Sequence, residues 1–284
     1  MTPLAFEVLT KIVTYAAVLI VIGVSATFWL VVPRGLPLAS PTPVARLLSP
    51  MGLVAALAAV GGLVARAWAH TAVMFGYAES WSAAGLSTVV IQSRWGHGWR
   101  WQLIAAVACL LLFAAPTGEQ RSAWLMRAAA SVGFAWSLTM TGHAAGDPWR
   151  MTIHVTHVLA GGLWLGTLAT LTWVGGAVDG AERRKLFSAF STVAMTGATA
   201  LVLSGATAAY VYVATWSNLL TMAYGRVLTV KAIVAGIAMT CGFLNWRSIR
   251  STRLEPRQLV LAIELLAAAL IVAATGILTE LEHS

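Results

Sequence analysis

Eight long apolar segments constrain the fold of this 284-residue chain more than any other feature. A helix needs about 20 mainly apolar residues to cross the hydrocarbon core of a bilayer. Only 10% of the residues are charged, whereas soluble domains carry roughly 25%, so too little charge is left to cover a soluble globule. The segments occupy residues 8–32, 51–75, 99–116, 123–144, 152–178, 186–214, 227–247 and 258–279. The sequence therefore predicts an all-α, polytopic membrane helix bundle with eight transmembrane helices, forming a single integral membrane domain over residues 1–284.

Basic residues are distributed unevenly between the two sides of this predicted bundle. The odd-numbered connections hold eleven of them: Arg34, Arg46, Arg121, Arg127, Arg183, Arg184, Lys185, Arg247, Arg250, Arg253 and Arg257. The termini and the even-numbered connections hold five: Lys11, Arg94, Arg100, Arg150 and Arg226. Cytoplasmic loops carry the excess of Lys and Arg, so both termini are expected to face the periplasm of a bacterial inner membrane. The net charge of +8 reflects these loops and does not indicate nucleic-acid binding.

Two local patterns predict packing rather than chemistry. Residues 76–98 are less apolar than the spans around them, and Leu86, Val89 and Val90 give them a partial apolar face, which predicts an interfacial or re-entrant helix. Gly162 and Gly166 form a GxxxG spacing inside the fifth span, and small residues at that spacing let two helix backbones approach closely.

Three of the six histidines lie around the fourth connection, in the stretch MTGHAAGDPWRMTIHVTH. His154 and His157 are three residues apart, so they lie on one face of a helix. His143 ends the preceding span and enters the membrane at the same level. Antiparallel packing of the two spans is expected to bring the three imidazoles together.

Three more side chains lie at a comparable depth: Met140, Met151 and His70. Neutral imidazole binds copper, zinc and iron, and a thioether selects Cu(I). The six residues therefore predict a copper site that favours Cu(I). Two alternatives stay open: the histidines hydrogen-bond helix ends together without a metal, or two of them on different helices ligate a haem iron.

Polar residues also occur inside the last spans. Glu264 lies roughly two turns into the eighth span, where it either hydrogen-bonds to a neighbour such as Asn245 or serves an ion or proton step toward the cytoplasm. Lys231 lies on the order of 15 Å away in depth, so a direct ion pair with Glu264 is not expected. Arg66, in the outer third of the second span, is expected to snorkel outward.

Four segments, in order along the chain, resemble the copper resistance protein D family (CopD-like). They are GHA at 142–144, HVTHVLAGGLWLGTL at 154–168, YGRVLTVKAIVAGIAMTCGFLNWR at 224–247 and VLAIELLAAALIVAATGIL at 260–278. The resemblance is weak over the first two spans and strongest over residues 130–280.

The resemblance implies an eight-helix inner-membrane protein that handles copper, often beside a small periplasmic copper-binding (CopC-like) protein, which here would be a separate chain. It assigns metal binding to His143, His154 and His157, and a role in the pathway to Lys231, Asn245 and Glu264. The family's usual Asn-Arg pair is interrupted here by a tryptophan, in Asn-Trp-Arg at 245–247. His70, Met140 and Met151 are candidates from their depth alone.

The leading functional hypothesis is copper transport or copper delivery, with capture at the periplasmic face and passage inward. A haem-binding membrane electron-transfer protein and a membrane scaffold for copper-protein assembly are the alternatives. No nucleotide-binding loop, nucleophile elbow or paired-carboxylate site occurs in the sequence, so we expect the protein not to be an enzyme.

Overall fold

The computed structural model describes residues 2–36, 43–116, 120–142, 144–213, 217–252 and 258–281. These residues are almost entirely helical, and no strand occurs among them. Apart from short 3₁₀ turns, their helices are α1 Pro3–Gly35, α2 Pro43–Phe75, α3 Ala83–Gln92, α4 Arg94–Ala114, α5 Arg121–Ser137, α6 Pro148–Ala177, α7 Gly180–Tyr212, α8 Asn218–Thr221, α9 Ala223–Thr252 and α10 Gln258–Leu278.

Seven helices in the described ranges are long and apolar enough to cross a membrane, namely α1, α2, α4, α6, α7, α9 and α10. This confirms an all-helical, multi-pass membrane protein, with one candidate span fewer than the sequence predicts. The remaining predicted segment, 123–144, corresponds to α5, which has 17 residues and continues into the 3₁₀ turn Leu138–Met140. The helix predicted within 76–98 is present as α3, and α4 begins before residue 99, at Arg94.

Two of the spanning helices contain a π-helical turn. In α1 the turn is Thr27–Val31, closed by a bond from the Val32 N–H to the Thr27 carbonyl, and it ends two residues before Pro33, which has no N–H to donate. In α6 the turn is Gly162–Gly166. A π turn inserts one extra residue and changes which face the following side chains occupy.

Helix α1 is the central helix of the bundle and packs against α2, α5, α6 and α10. Where it crosses α6, Gly23 lies directly against the backbone of Gly166, and Gly166 lies against the carbonyl of Leu19. A side-chain carbon at either glycine would overlap the facing backbone. The close approach predicted from the GxxxG spacing is therefore confirmed, with Gly166 as its contact point.

Helix α9 lies at the periphery of the bundle. It packs mainly against α10, and its outer face is apolar and exposed, with Val230, Ile233 and Phe243 each more than half exposed. In a membrane protein such a face lies against lipid. The opposite face of α9 places Lys231 and Asn245 toward the neighbouring helices.

Arg127, counted above among the loop bases, is instead buried. Its guanidinium donates to the carbonyls of Leu112 at 3.0 Å and Ala115 at 3.3 Å, and to the hydroxyl of Ser49 at 2.9 Å. The last carbonyls of a helix have no intrahelical partner, so a cation there satisfies them. Arg127 thus caps α4 and joins it to α2.

Candidate functional site

The imidazoles of His154 and His157 lie on one face of α6, as their spacing predicts. The helix begins at Pro148, and the Asp147 carboxylate caps it by accepting from the backbone N–H groups of Trp149 at 3.0 Å and Arg150 at 3.2 Å. Both histidines are half-buried, within the first three turns of the helix. The capped start therefore sets the depth at which the imidazoles enter the bundle.

Helix α7 supplies a polar partner for the deeper histidine. The Nδ1 atom of His157 lies 3.0 Å from the hydroxyl of Ser204, and Gly205 leaves the space that the ring edge occupies. The half-buried Lys231 of α9 also lies close enough to act electrostatically on both imidazoles. A cation bound between these histidines would feel the charge of Lys231.

His143 lies outside the described residues, but the chain on both sides of it is held by α4. Gln102 donates to the Thr141 hydroxyl at 2.8 Å, and Arg94 donates to the Ala145 carbonyl at 3.4 Å. The 3₁₀ turn that contains Met140 packs against the first part of α6, which contains Met151, and both methionines are half-buried. The structure therefore places both methionines at the junction of α5 and α6.

His70 has different partners. Its Nδ1 atom lies 2.9 Å from the Glu7 carboxylate on α1, and its ring stacks on Trp95 with 4.1 Å between centroids. Among the described residues, no three side chains of the types His, Cys, Asp and Glu are arranged to hold a metal ion. His70, His154 and His157 therefore do not converge on one point among the described residues, which leave out His143.

A buried ionic cluster surrounds Glu7. Lys11, one turn further along α1, lies 3.9 Å from Glu7 and also pairs with Glu280 just after α10. Arg66, expected to snorkel, is only 4% exposed, donates to Gln102 at 3.3 Å and packs on Trp95. Snorkelling is therefore wrong for Arg66, because polar and aromatic partners hold it inside the bundle.

The sequence reasoning missed Glu7, Lys11 and Glu280 as members of a cluster. A signal was present, because Glu7 and Lys11 are an acid and a base four residues apart at the start of the first apolar segment. Ionisable groups within a span are rare and tend to pair with one another. The pairing with Glu280 depends on the first and last spans lying side by side, which spacing alone does not reveal.

Glu264 and Asn245 form the second buried polar contact predicted above. Glu264 is 2% exposed, and the Asn245 amide donates to its carboxylate at 3.5 Å. The indole of Trp164, in the π turn of α6, lies close enough to the Glu264 carboxylate to interact with it. The hydrogen bond between Asn245 and Glu264 is thus confirmed and joins α9 to α10, and Trp164 brings the middle of α6 next to it.

These features define an integral membrane helix bundle with two half-buried imidazoles on one helix face and two buried polar centres. Residues 1–152 match the family described as copper resistance protein D-like, N-terminal domain. The match covers more than half of the chain, so the chain belongs to this copper resistance family of membrane proteins, which is not known for an enzymatic activity. Searches of curated proteins and of solved structures found no match.

The matched range contains α1 to α5 and the first residues of α6, and it ends before His154. It therefore includes the Glu7 cluster apart from Glu280, and the chain around His143. The downstream segments that resemble the family, from residue 154 onward, lie beyond the matched range. Their assignment to the family depends on the resemblance of those segments themselves.

Proposed function

We propose that the protein captures copper at the outer face of a bacterial inner membrane and passes it inward, as a copper transporter or a membrane copper-delivery protein. The observation that carries the proposal is the pair of imidazoles on one face of α6 in a chain of a copper resistance family. His154 and His157, with His143, form the capture site. Met140 and Met151 add thioethers, and His70 is a further ligand nearer Glu7.

We propose eight crossings with both chain ends on the periplasmic side. Support comes from Lys11 and Glu280, whose contact places the start of α1 and the end of α10 at the same end of the bundle. Helices that begin and end at one side of a membrane require an even number of crossings. Helix α5 supplies the eighth, and the excess of bases in the odd-numbered connections supports the assignment of that side to the periplasm.

The proposed inward path runs past Lys231 to the contact between Asn245 and Glu264. His157 and Trp164 are separated by about 10 Å along α6, and Trp164 reaches Glu264. Lys231 opposes the entry of any cation, and the Coulomb repulsion is half as large for Cu(I) as for Cu(II). The charge at Lys231 thus adds to the thioether argument for the cuprous ion. A separate CopC-like periplasmic protein is the proposed donor.

Removing both imidazoles is expected to weaken capture strongly. The purified double variant H154A/H157A should bind Cu(I) about 100-fold more weakly than the wild type in competition with a colorimetric chelator, because two of the proposed ligands are lost. His97, which is exposed and whose ring contacts Trp101 on the same helix, provides the matched control H97A. Equal affinity of all three proteins would contradict the capture site. A Soret band in the visible spectrum of the purified protein would instead favour haem.

Passage is tested separately at Glu264. In proteoliposomes that contain only this chain, E264Q should slow copper uptake about tenfold while leaving the Cu(I) affinity of the outer site unchanged, because the buried carboxylate lies beyond the histidines. Glu79 is an exposed carboxylate outside the spanning helices, so E79Q serves as the control. If the wild type itself moves no copper, the scaffold hypothesis replaces transport.

A further inference from the structure

We propose that Ser204 is a positioning residue that fixes the tautomer of His157, with the proton on Nδ1 and the Nε2 lone pair free for a soft monovalent metal ion. The inference rests on the proposed function, since it concerns a histidine of the same capture site. It adds a residue on a different helix, one that neither the resemblance nor the sequence pattern singles out.

The Ser204 hydroxyl has a single proton, which it donates within its own helix. Its oxygen lies 2.7 Å from the carbonyl of Ala200 and 3.2 Å from the carbonyl of Leu201, both one turn earlier on α7. A carbonyl only accepts, so the hydroxyl proton is used in these bonds. Such back-bonding to the preceding turn is the usual arrangement of serine within a helix. The Ser204 oxygen therefore offers only lone pairs to other groups.

His157 must then be the donor in its contact with Ser204. Its Nδ1 atom lies 3.0 Å from the Ser204 oxygen, which has no proton left to donate. The contact therefore requires the proton to be on Nδ1. A neutral imidazole carries one N–H, which leaves Nε2 as the acceptor.

The ring is also fixed sterically. A methyl group at Gly205 would come within 3.2 Å of the Cε1 atom of His157, so the imidazole edge already lies in contact with α7. Rotation of the ring by half a turn would exchange Nδ1 for a carbon and lose the bond to Ser204. The Nε2 atom is thereby directed away from Ser204.

Such an arrangement is what a metal-binding histidine requires. Histidine ligands commonly donate their second ring N–H to an acceptor, which fixes the tautomer and raises the basicity of the ligating nitrogen. Here the acceptor is a neutral hydroxyl rather than a carboxylate, so the ligand set stays uncharged. An uncharged imidazole ligand suits Cu(I).

The test uses the full-length protein in detergent with ¹⁵N-labelled histidine. In the metal-free wild type, the ¹⁵N spectrum should show His157, identified by its loss in H157A, as the Nδ1–H tautomer. In S204A the spectrum should shift toward the Nε2–H form, and the Cu(I) affinity should fall about tenfold. S204T, which keeps the hydroxyl, should keep the Nδ1–H tautomer and the Cu(I) affinity of the wild type. Ser191 makes the same kind of back-bond, to Phe187 at 3.1 Å on the same helix, so S191A is the control.

The outcomes separate this inference from the proposed function. An Nε2–H tautomer in the wild type, or identical spectra and affinities for S204A and S191A, would overturn the role of Ser204. In another outcome, the wild type binds no copper but shows the Nδ1–H form, and S204A loses that form. This result would support the tautomer assignment and refute copper capture.

Discussion

Replacing Gly166 by alanine is expected to lower the free energy of unfolding by about 3 kcal/mol, a large effect for a single methyl group. The added carbon would overlap the Leu19 carbonyl on α1, which is backbone and has no rotamer to change. Overpacking a tight interior typically lowers stability by about 1–3 kcal/mol, with the upper end reached where backbone must move. Because α1 is the central helix, its displacement from α6 also disturbs its contacts with α2 and α10. Thermal or denaturant unfolding in mixed micelles measures the loss.

Gly236 gives the matched control for this prediction. It is also a glycine inside a spanning helix, but a methyl group there meets no atom within 4 Å. G236A should change stability by no more than about 1 kcal/mol, and in the stabilising direction, because alanine is the better helix former. Similar losses for G166A and G236A would mean that the α1–α6 crossing is not as close as described.

Replacing Lys11 by methionine is expected to lower the free energy of unfolding by about 3 kcal/mol. Methionine has a similar length but leaves two buried or half-buried carboxylates, Glu7 and Glu280, without their shared cation. Removing one partner of a buried pair typically destabilises by about 3–5 kcal/mol, because the remaining charge stays away from water. The bond from His70 to Glu7 places the expected loss at the lower end of that range. The measurement is again unfolding in mixed micelles.

Two variants check this assignment. K11M/E280Q should recover part of the loss, since the second substitution removes one of the uncompensated charges. The exposed pair of Arg150 and Asp147, with 3.2 Å between its atoms, is the control, and R150M should change stability by less than about 1 kcal/mol. If K11M is no more destabilised than R150M, the cluster does not hold the first and last spans together.

The sequence predicts the spans well because a bilayer sets their length and composition directly. Segment 8–32 lies within α1, and segment 258–279 nearly coincides with α10. The contact between Asn245 and Glu264 could also be predicted, because it joins two helices that are consecutive in sequence. Both predictions need only the depth of each residue along the membrane normal.

The sequence does not reveal in which direction around its helix axis a side chain points. His70 has the depth expected for a ligand beside His154, but the structure directs it toward Glu7 on α1. Arg66 has the depth of a snorkelling residue, but it faces Gln102 and the interior. Both differences arise because rotation about the axis is set by packing with neighbouring helices, which depth along the membrane normal does not determine.

The π turn in α6 has a consequence for how the two levels of this helix are related. His157 and Trp164 are seven residues apart, and on a regular α-helix that spacing returns to nearly the same face. The additional residue in the π turn rotates the helix after Gly166 by about 100° relative to the helix before Gly162, and Trp164, in the middle of the turn, is rotated by part of that angle. His157 therefore meets Ser204 on α7 while the indole of Trp164 meets Glu264 on α10. The number of residues in the 162–166 segment thus sets the angle around the helix axis between His157 and Trp164. Loss of one residue there would return the segment to a regular α-helix and change that angle, even with every ligand still present in the sequence.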